Sequence, residues 1–143
     1  MIAQEFLPAV KDGDVRILLL NGRVMEKDGV QAIIRRSPGE GEFRSNFSQG
    51  ATADNSDLTP EMKRIVNLTA PQLIRDGLFF VGLDVVKDKL IEINVLSPGG
   101  MERFKDIGLP DFTPTVIEAI ERKVEYKAMY GDQLSNKVLA TME

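Results

Sequence analysis

Two apolar runs separated by a short polar turn constrain the fold of this chain most. Leu78 to Val86 and Leu90 to Leu96 are rich in branched residues, and Lys87-Asp88-Lys89 lies between them. Short runs of this kind joined by a short break are typical of a β-hairpin. Because the strands of a hairpin are antiparallel, each residue of the first run has a defined partner in the second.

Three polar residues interrupt this hairpin: Asp84, Glu92 and Asn94. Side chains alternate across a strand, so Glu92 and Asn94 share one face. If the turn comprises all three residues 87–89, Val86 pairs with Leu90 and Asp84 lies opposite Glu92. Two carboxylates about 5 Å apart repel each other unless a positive charge lies between them. A hard divalent cation such as Mg²⁺, which takes carboxylate and amide oxygens and keeps positions for substrate phosphates, meets that need.

An ordinary antiparallel sheet with one buried and one solvent-exposed face also explains why these polar residues occur here. Antiparallel sheets often expose one polar face, where nearby lysines offset carboxylates such as Asp84 and Glu92. A turn of even length would also put the two carboxylates on opposite faces, and the metal argument would then fail. Spacing alone leaves both interpretations open.

The remaining elements follow from apolar periodicity and turn signals. Strands are predicted at residues 2–7, 15–20 and 30–35, with a turn at 11–14 and a long loop at 37–57. Thr59-Pro60 predicts a helix start, Gly77 its end and Pro71 a kink within it. Thr113-Pro114 repeats the start signal, and Gly131 ends the second helix.

The second helix is predicted to carry an apolar stripe of Val116, Ile117, Ile120 and Val124, and residues 132–143 to form a short helix or a frayed tail. The sequence thus predicts an α+β domain, an antiparallel sheet of four or five strands with two covering helices.

The amino-acid composition excludes several kinds of catalytic and metal-binding site. The 143 residues include no cysteine and no histidine, which excludes disulfides, thiol nucleophiles, imidazole bases and the usual zinc sites. A net charge of -4 without a long block of one sign argues against nucleic acid as the partner. The chain has no signal peptide and no apolar run of about 18 residues, so we expect a cytoplasmic protein without membrane contact. Arg16, Arg35, Arg36 and Arg44 lie in the first third and favour a small anionic ligand.

A set of ordered motifs resembles a known family. Gly82-Leu83-Asp84-Val85-Val86, then Ile91-Glu92-Ile93-Asn94-Val95, then Ser97-Pro98-Gly99-Gly100 resemble the end of the ATP-grasp domain of bacterial glutathione synthetases. The opening Ile2-Ala3-Gln4-Glu5-Phe6-Leu7-Pro8 and Gly13-Asp14-Val15-Arg16 resemble that family's adenine-binding hinge and the strand after it. Arg44-x-Asn46 and the Gly50 loop lie between them, so the resemblance covers nearly the whole chain.

The resemblance implies a role for each matching residue. Asp84, Glu92 and Asn94 would hold magnesium, or manganese in its place, against the ATP phosphates. The hinge residues Glu5, Phe6 and Leu7 would contact adenine, with Asp14 reaching the ribose. The transferring phosphoryl group and the acyl phosphate would face Arg16, Arg36, Arg44 and Asn46. The substrate carboxylate would meet a loop shaped by Ser97, Gly99 and Gly100.

Simpler interpretations remain for several of these residues. Phe6 and Leu7 would serve equally well in a core, any single arginine can be a solvated surface residue, and the Ser97–Gly100 loop can be an ordinary turn. One position departs from the family pattern, because Gly50 is followed by Ala51 where the family commonly has a second glycine. We therefore expect an altered lid over the substrate.

The resemblance also implies a domain organisation. Residues 1–131 would form the C-terminal half of an ATP-grasp fold and residues 132–143 a tail, with no counterpart here of the N-terminal substrate domain or the first ATP-grasp half. We expect part of a carboxylate–amine ligase that activates γ-glutamylcysteine as an acyl phosphate for attack by glycine. Alone, it should bind ATP weakly and turn over little or not at all.

Two other functions compete with this one. The first is another ATP-grasp ligase, such as a relative of the glutamate ligases that modify ribosomal proteins. The second is a non-catalytic remnant that binds nucleotide, metal or a partner chain. Such a remnant would self-associate or pair with a complementary N-terminal half through an exposed apolar patch.

Overall fold

The structure is a computed structural model that describes residues 5–39 and 51–143. The strands are β1 (Asp14–Leu20), β2 (Arg23–Val24), β3 (Glu26–Lys27), β4 (Val30–Gln31), β5 (Ile33–Ser37), β6 (Thr52–Asn55), β7 (Phe80–Val86) and β8 (Lys89–Asn94). The helices are α1 (Pro60–Asp76), α2 (Met101–Asp106), α3 (Thr113–Tyr130) and α4 (Asn136–Thr141), with 3₁₀ turns at Pro8–Asp12 and Gly131–Gln133. No helix in these two ranges is both long and apolar enough to cross a bilayer.

An antiparallel sheet forms the centre of the molecule. Its strands lie in the order β6-β5-β1-β7-β8, β2 pairs with the end of β1, and β3 and β4 form a separate small ribbon. Apolar residues of the two middle strands β1 and β7, including Ile17, Leu18 and Leu83, are fully buried. Strands covered on both faces need such nearly continuous apolar runs.

The two faces of the sheet are covered differently. On one face, Ile17 and Leu83 pack against Met62 and Val66 of α1. On the other, Leu18 packs with Phe104 of α2, with Phe112 just before α3 and with Val116 of α3. Because side chains alternate along β1, this second face also carries Arg16 and Asp14, two and four residues before Leu18. The helices cover the apolar end of this face, and its other end is built from charged residues.

Several predictions are confirmed. The fold is α+β, strand 15–20 is β1, and the hairpin is β7–β8. The first helix is α1: Thr59 Oγ1 accepts a hydrogen bond from the Met62 amide at 3.3 Å, and Gly77 ends the helix at φ +71°. The helix runs through Pro71, and the kink there stays a prediction. The predicted short helix in the tail is α4.

Other strand predictions are wrong. Glu5–Leu7 is not a strand, and a 3₁₀ turn occupies Pro8–Asp12 ahead of β1; residues 1–4 lie outside the described residues. The run 30–35 is divided at Ala32, whose amide donates to Met25 O while its oxygen accepts from the Leu18 amide. The predicted loop 37–57 contains β6, which pairs with β5.

The helical layer is also larger than predicted. Besides α1 and α3 it includes α2 and α4, each only six residues long and so too short for a clear periodicity. Thr113 is the first residue of α3 rather than its N-cap, which is Phe112, and the Thr113 amide donates to Asp111 Oδ1 at 3.0 Å. Of the predicted stripe only Val116 is buried; the other three members are exposed: Ile117, Ile120 and Val124.

Candidate functional site

In the β7–β8 hairpin, Asp84 pairs with Glu92 although the length of the turn differs from the prediction. The turn comprises only Lys87 and Asp88, so the predicted three-residue turn is wrong. Val85 pairs with Leu90, and Asp84 then pairs with Glu92, which leaves Ile91 as an extra residue in β8. Such a β-bulge shifts the register by one. The shorter turn and the bulge cancel, so the predicted pairing of Asp84 with Glu92 is confirmed.

Asp84 is the centre of a buried set of ion pairs. Its Oδ1 accepts from Arg16 Nε and its Oδ2 from Arg16 Nη2, both at 2.8 Å. Arg36 Nη2 lies 2.9 Å from the same Oδ2, and Asn94 Nδ2 donates to it at 3.2 Å. The fork of Arg16 is thus bidentate, which is the strongest geometry for a guanidinium and a carboxylate. Asp84 itself is 1% exposed.

Each arginine has a second anchor. Arg36 Nε donates to Asp14 Oδ1 at 2.7 Å, and Arg16 Nη1 donates to the Gly99 carbonyl oxygen at 3.0 Å. Asp14 and Arg36 are paired residues of β1 and β5, as Arg16 and Asp84 are of β1 and β7. We call these four residues the arginine–aspartate cluster; it joins three strands and the loop after β8.

Gly82 lies next to the Arg16 side chain on this face of the sheet. A Cβ at Gly82 would lie 3.7 Å from Arg16 Nε and 3.4 Å from the Pro98 Cβ, which are ordinary van der Waals distances.

The electrostatics of the cluster shift the pKa values of its two carboxylates in opposite directions. Burial alone would raise the pKa of Asp84, but hydrogen bonds from Arg16 and the charges of both arginines outweigh it and lower that pKa. For Asp14 burial is the largest effect, and although Arg36 opposes it the pKa is raised. Burial would lower the pKa of Arg36, but Asp14 and Asp84 raise it. Two carboxylates and two guanidiniums thus balance in a buried site, where an unpaired charge would be costly.

This arrangement changes the argument for a metal. The positive charge that Asp84 requires is supplied by Arg16 and Arg36, so the pairing of the two carboxylates does not by itself demand a cation. Within the described residues, no three or more acidic side chains come together as a metal site. Glu92 is exposed. Asn94 donates a hydrogen bond to Asp84 through its side-chain nitrogen, so its side-chain carbonyl oxygen is available as a metal ligand. A carboxylate and an amide oxygen two residues apart on one strand fit a hard cation.

The loop after β8 lies against the cluster. Ser97 and Gly99 are exposed, and Gly100 is buried and precedes α2 with φ +98°, a conformation that favours glycine. The Gly99 carbonyl is the acceptor for Arg16, so the loop is attached to the ion pairs rather than free. No local pattern predicts this contact, because it joins residues 83 positions apart.

The hinge residues occupy the edge of the sheet. Glu5 and Leu7 line a cleft of about 180 Å³ with Lys89, Leu90 and Ile91 of β8. Phe6 is 60% exposed, so the alternative of a core residue is wrong for this side chain. Arg44, Asn46 and Gly50 lie outside the described residues.

Arg35 and Arg36 differ in position although they are neighbours. Arg35 is exposed and lines a separate cavity of about 380 Å³ beside the start of α1. Arg36 points to the opposite face of the sheet and is buried in the cluster. Of the arginines grouped in the first third of the chain, the structure therefore brings Arg16 and Arg36 together.

Comparison with known proteins identifies the family of this chain. A model of the prokaryotic glutathione synthetase ATP-grasp domain matches residues 1–108. Glutathione synthetase of Bradyrhizobium diazoefficiens is 38% identical over 85% of this chain and 37% of its own length. That of Parasynechococcus marenigrum is 41% identical over 87% and 38%, and that of Photorhabdus laumondii 39% over the same shares. The chain thus spans less than two fifths of these relatives, and it belongs to the prokaryotic glutathione synthetase ATP-grasp domain family.

Proposed function

We propose that this chain is the C-terminal half of the ATP-grasp fold of a glutathione-synthetase-like ligase and forms one wall of its Mg-ATP site. The observation that carries the proposal is the arginine–aspartate cluster beside Glu92 and Asn94. It puts two fixed guanidiniums next to oxygen donors for a cation. Phosphoryl transfer depends on this kind of positioning and charge stabilisation.

The arginines are the groups that meet phosphate. Arg16 and Arg36 are each held by two partners, so both guanidiniums have a defined orientation before a ligand arrives. Preorganised donors of this kind stabilise the charge that develops on a transferring phosphoryl group and on the acyl phosphate. Arg44 and Asn46 are proposed to assist them.

Magnesium is proposed to bind at Glu92, Asn94 and Asp84. When bound, it would neutralise charge on the ATP phosphates. Glu92 is exposed and accessible, whereas Asp84 shares its oxygens with two arginines. Glu92 and Asn94 would therefore receive the ion first, and Asp84 would share it with its existing partners.

The remaining contacts surround this centre. Glu5, Phe6 and Leu7 are proposed to receive adenine, and the exposed ring of Phe6 offers it an apolar surface. Ser97, Gly99 and Gly100 are proposed to bind the substrate carboxylate, and the hydrogen bond from Arg16 to the Gly99 carbonyl oxygen supports a position beside the arginines. The relatives are named glutathione synthetases, and we propose γ-glutamylcysteine and glycine as the substrates.

The surface around β8 supports the assignment to half of a larger site. This edge strand is followed by exposed apolar residues, and Leu96 is 97% exposed. Exposed apolar groups next to an open strand edge favour cover by another unit. We propose that residues 1–131 pair with a first ATP-grasp half, and that the chain alone binds ATP weakly and turns over little.

A chimera tests the ligase assignment. The 122-residue segment of this chain that aligns with the Bradyrhizobium diazoefficiens enzyme would replace its counterpart there, and glutathione formation would be measured with ATP, Mg²⁺, γ-glutamylcysteine and glycine. We expect activity in the chimera and its loss with Arg36→Ala, while Arg35→Ala on the opposite face retains it. A folded chimera without activity, or one that ligates glutamate instead of glycine, would overturn the proposal.

A further inference from the structure

Two cavities meet along α1, on the face of the sheet opposite the arginine–aspartate cluster. The first, of about 380 Å³, lies beside the start of the helix and is lined by Arg35. The second, of about 340 Å³, continues along the helix past Ile65 and Leu68. Glu61 and Asp88 line both cavities, so the two spaces adjoin. They form one groove, which we call the α1 groove.

The α1 groove is longer than a single amino acid. Glu61 and Leu68 lie on the same side of α1, about 10 Å apart along its axis. Across the sheet, Arg35 of β5 pairs with Val15 of β1, and Val15 pairs with Val85 of β7. Two strand spacings separate Arg35 from β7, which is again about 10 Å. Together these lengths match about six residues of extended chain, and the buried Val15 and Val85 give the first cavity an apolar floor.

Charge is distributed unevenly along the groove. The two residues that both cavities share, Glu61 and Asp88, are acidic. Apart from these two, the charged residues of the first cavity are two cations and one carboxylate, so that part is net positive: Arg35, Lys87 and Asp12. The second cavity adds one cation, Arg64, and the apolar pair Ile65 and Leu68, of which Leu68 is 70% exposed. The groove thus has an apolar end, an acidic middle and a basic end.

The charges that define this order are available to a ligand. Arg35, Glu61 and Asp88 are exposed, and none of the three forms a side-chain hydrogen bond or ion pair within residues 5–39 and 51–143. Arg35 lines the groove and forms no ion pair with Asp54, its neighbour on β6. A ligand with the opposite order of charges would therefore gain contacts without breaking existing ones.

We propose that the α1 groove binds an extended peptide segment of a partner protein in which an apolar, a basic and an acidic side chain follow one another. The apolar side chain packs on Ile65 and Leu68, the basic one meets Glu61 and Asp88, and the acidic one meets Arg35. Charge complementarity of this kind sets the register and the choice of partner. The groove and the Mg-ATP site lie on opposite faces of the sheet, so this proposal and the proposed function can fail separately.

Calorimetry with two peptides of the same composition tests the order of charges. The first peptide carries Leu-Ser-Lys-Ser-Glu between blocked ends, because every second side chain of an extended chain points to the same side. The second exchanges the lysine and the glutamate. We expect the first peptide to bind and the second to bind about tenfold more weakly, since an exposed ion pair changes affinity up to about fivefold and two pairs are reversed. Equal binding of both peptides, or of neither, would overturn the proposal.

Two variants of exposed side chains test whether the peptide lies in the groove. Glu61→Lys should weaken the first peptide about tenfold and reduce the preference between the two peptides. Leu68→Ser should weaken both peptides by the same factor, because both contain the same leucine. Glu125→Lys, at an exposed glutamate of α3, is the matched control and should change neither. Unchanged binding by Glu61→Lys would overturn the proposal.

Two further measurements address other binding modes. Nuclear magnetic resonance should show amide shifts at residues 61–68 and 87–88 when the first peptide is added, and shifts confined to the strands around the cluster would overturn the proposal. Without peptide, the unsubstituted chain and Glu61→Lys should sediment alike. A dimer that Glu61→Lys dissociates would show that a second copy of the chain occupies the groove, and would also overturn the proposal.

Discussion

Replacing Arg16 by methionine removes three hydrogen bonds from the cluster. The substitution deletes two hydrogen bonds of 2.8 Å to Asp84 and one of 3.0 Å to the Gly99 carbonyl. Breaking a buried ion pair from one side costs about 3 to 5 kcal/mol. Since Asp84 keeps Arg36, we expect the lower end, about 3 kcal/mol in the free energy of unfolding. For a chain of this size that corresponds to a fall in Tm of about 6 to 12 °C.

Urea denaturation without metal or nucleotide measures this effect, with a constant m-value as the sign that only stability has changed. Arg23→Met is the matched control. Its ion pair with Glu143 spans 3.2 Å, but the Arg23 side chain is 77% exposed. An exposed pair contributes about 0 to 1 kcal/mol, so the control should hardly move. If Arg16→Met cost no more than Arg23→Met, the cluster would not stabilise the fold and the reasoning would be refuted.

Three further predictions concern pH, a glycine and the proposed ligands. Because the pKa of Asp84 is lowered in the folded state, its contribution is present above its ordinary pKa and is lost as pH falls through the folded-state value. In EDTA, the unfolding free energies of the unsubstituted chain and Asp84→Asn should therefore converge between about pH 5 and pH 2, and a constant difference would contradict this. Gly13→Ala should cost about 3 kcal/mol in chemical denaturation, because its φ is +94° and a Cβ would lie 2.3 Å from the Arg36 carbonyl oxygen. Gly29→Ala, at φ +76° with no atom within 4 Å, should cost only about 1 kcal/mol, and equal losses would exclude the clash. Glu92→Gln should weaken Mg²⁺-dependent ATP binding without lowering Tm, as calorimetry and a thermal melt would show, whereas unchanged binding would remove Glu92 from the metal site.

The sequence predicts the local parts of this fold well. The cap at Thr59, the end of α1 at Gly77 and the β7–β8 hairpin all depend on residues close together in the chain. The pairing of Asp84 with Glu92 was predicted from a three-residue turn, and it holds because a two-residue turn and a bulge at Ile91 compensate each other. Turn length and bulges depend on backbone geometry that apolar periodicity does not report.

The non-local contacts of the site could not be predicted. Arg16 and Asp84 are 68 residues apart, and their contact requires the pairing of β1 with β7, which no local pattern specifies. The exposed stripe of α3 has the same cause: periodicity identifies an apolar side of a helix but not whether another element covers it. Alternation along β1 does place Asp14 and Arg16 on one face, and this was the one available signal that the two belong to a single site.

The central claim is that the cluster and its neighbours bind magnesium and nucleotide phosphates together. Isothermal calorimetry of this chain with ATP, in Mg²⁺ and in EDTA, tests it most directly when repeated with Asp84→Asn and with the exposed turn variant Asp88→Asn. We predict weak binding that requires Mg²⁺, is lost in Asp84→Asn and is kept in Asp88→Asn. Absence of Mg²⁺-dependent binding in the unsubstituted chain, or equal binding by Asp84→Asn, would contradict the claim.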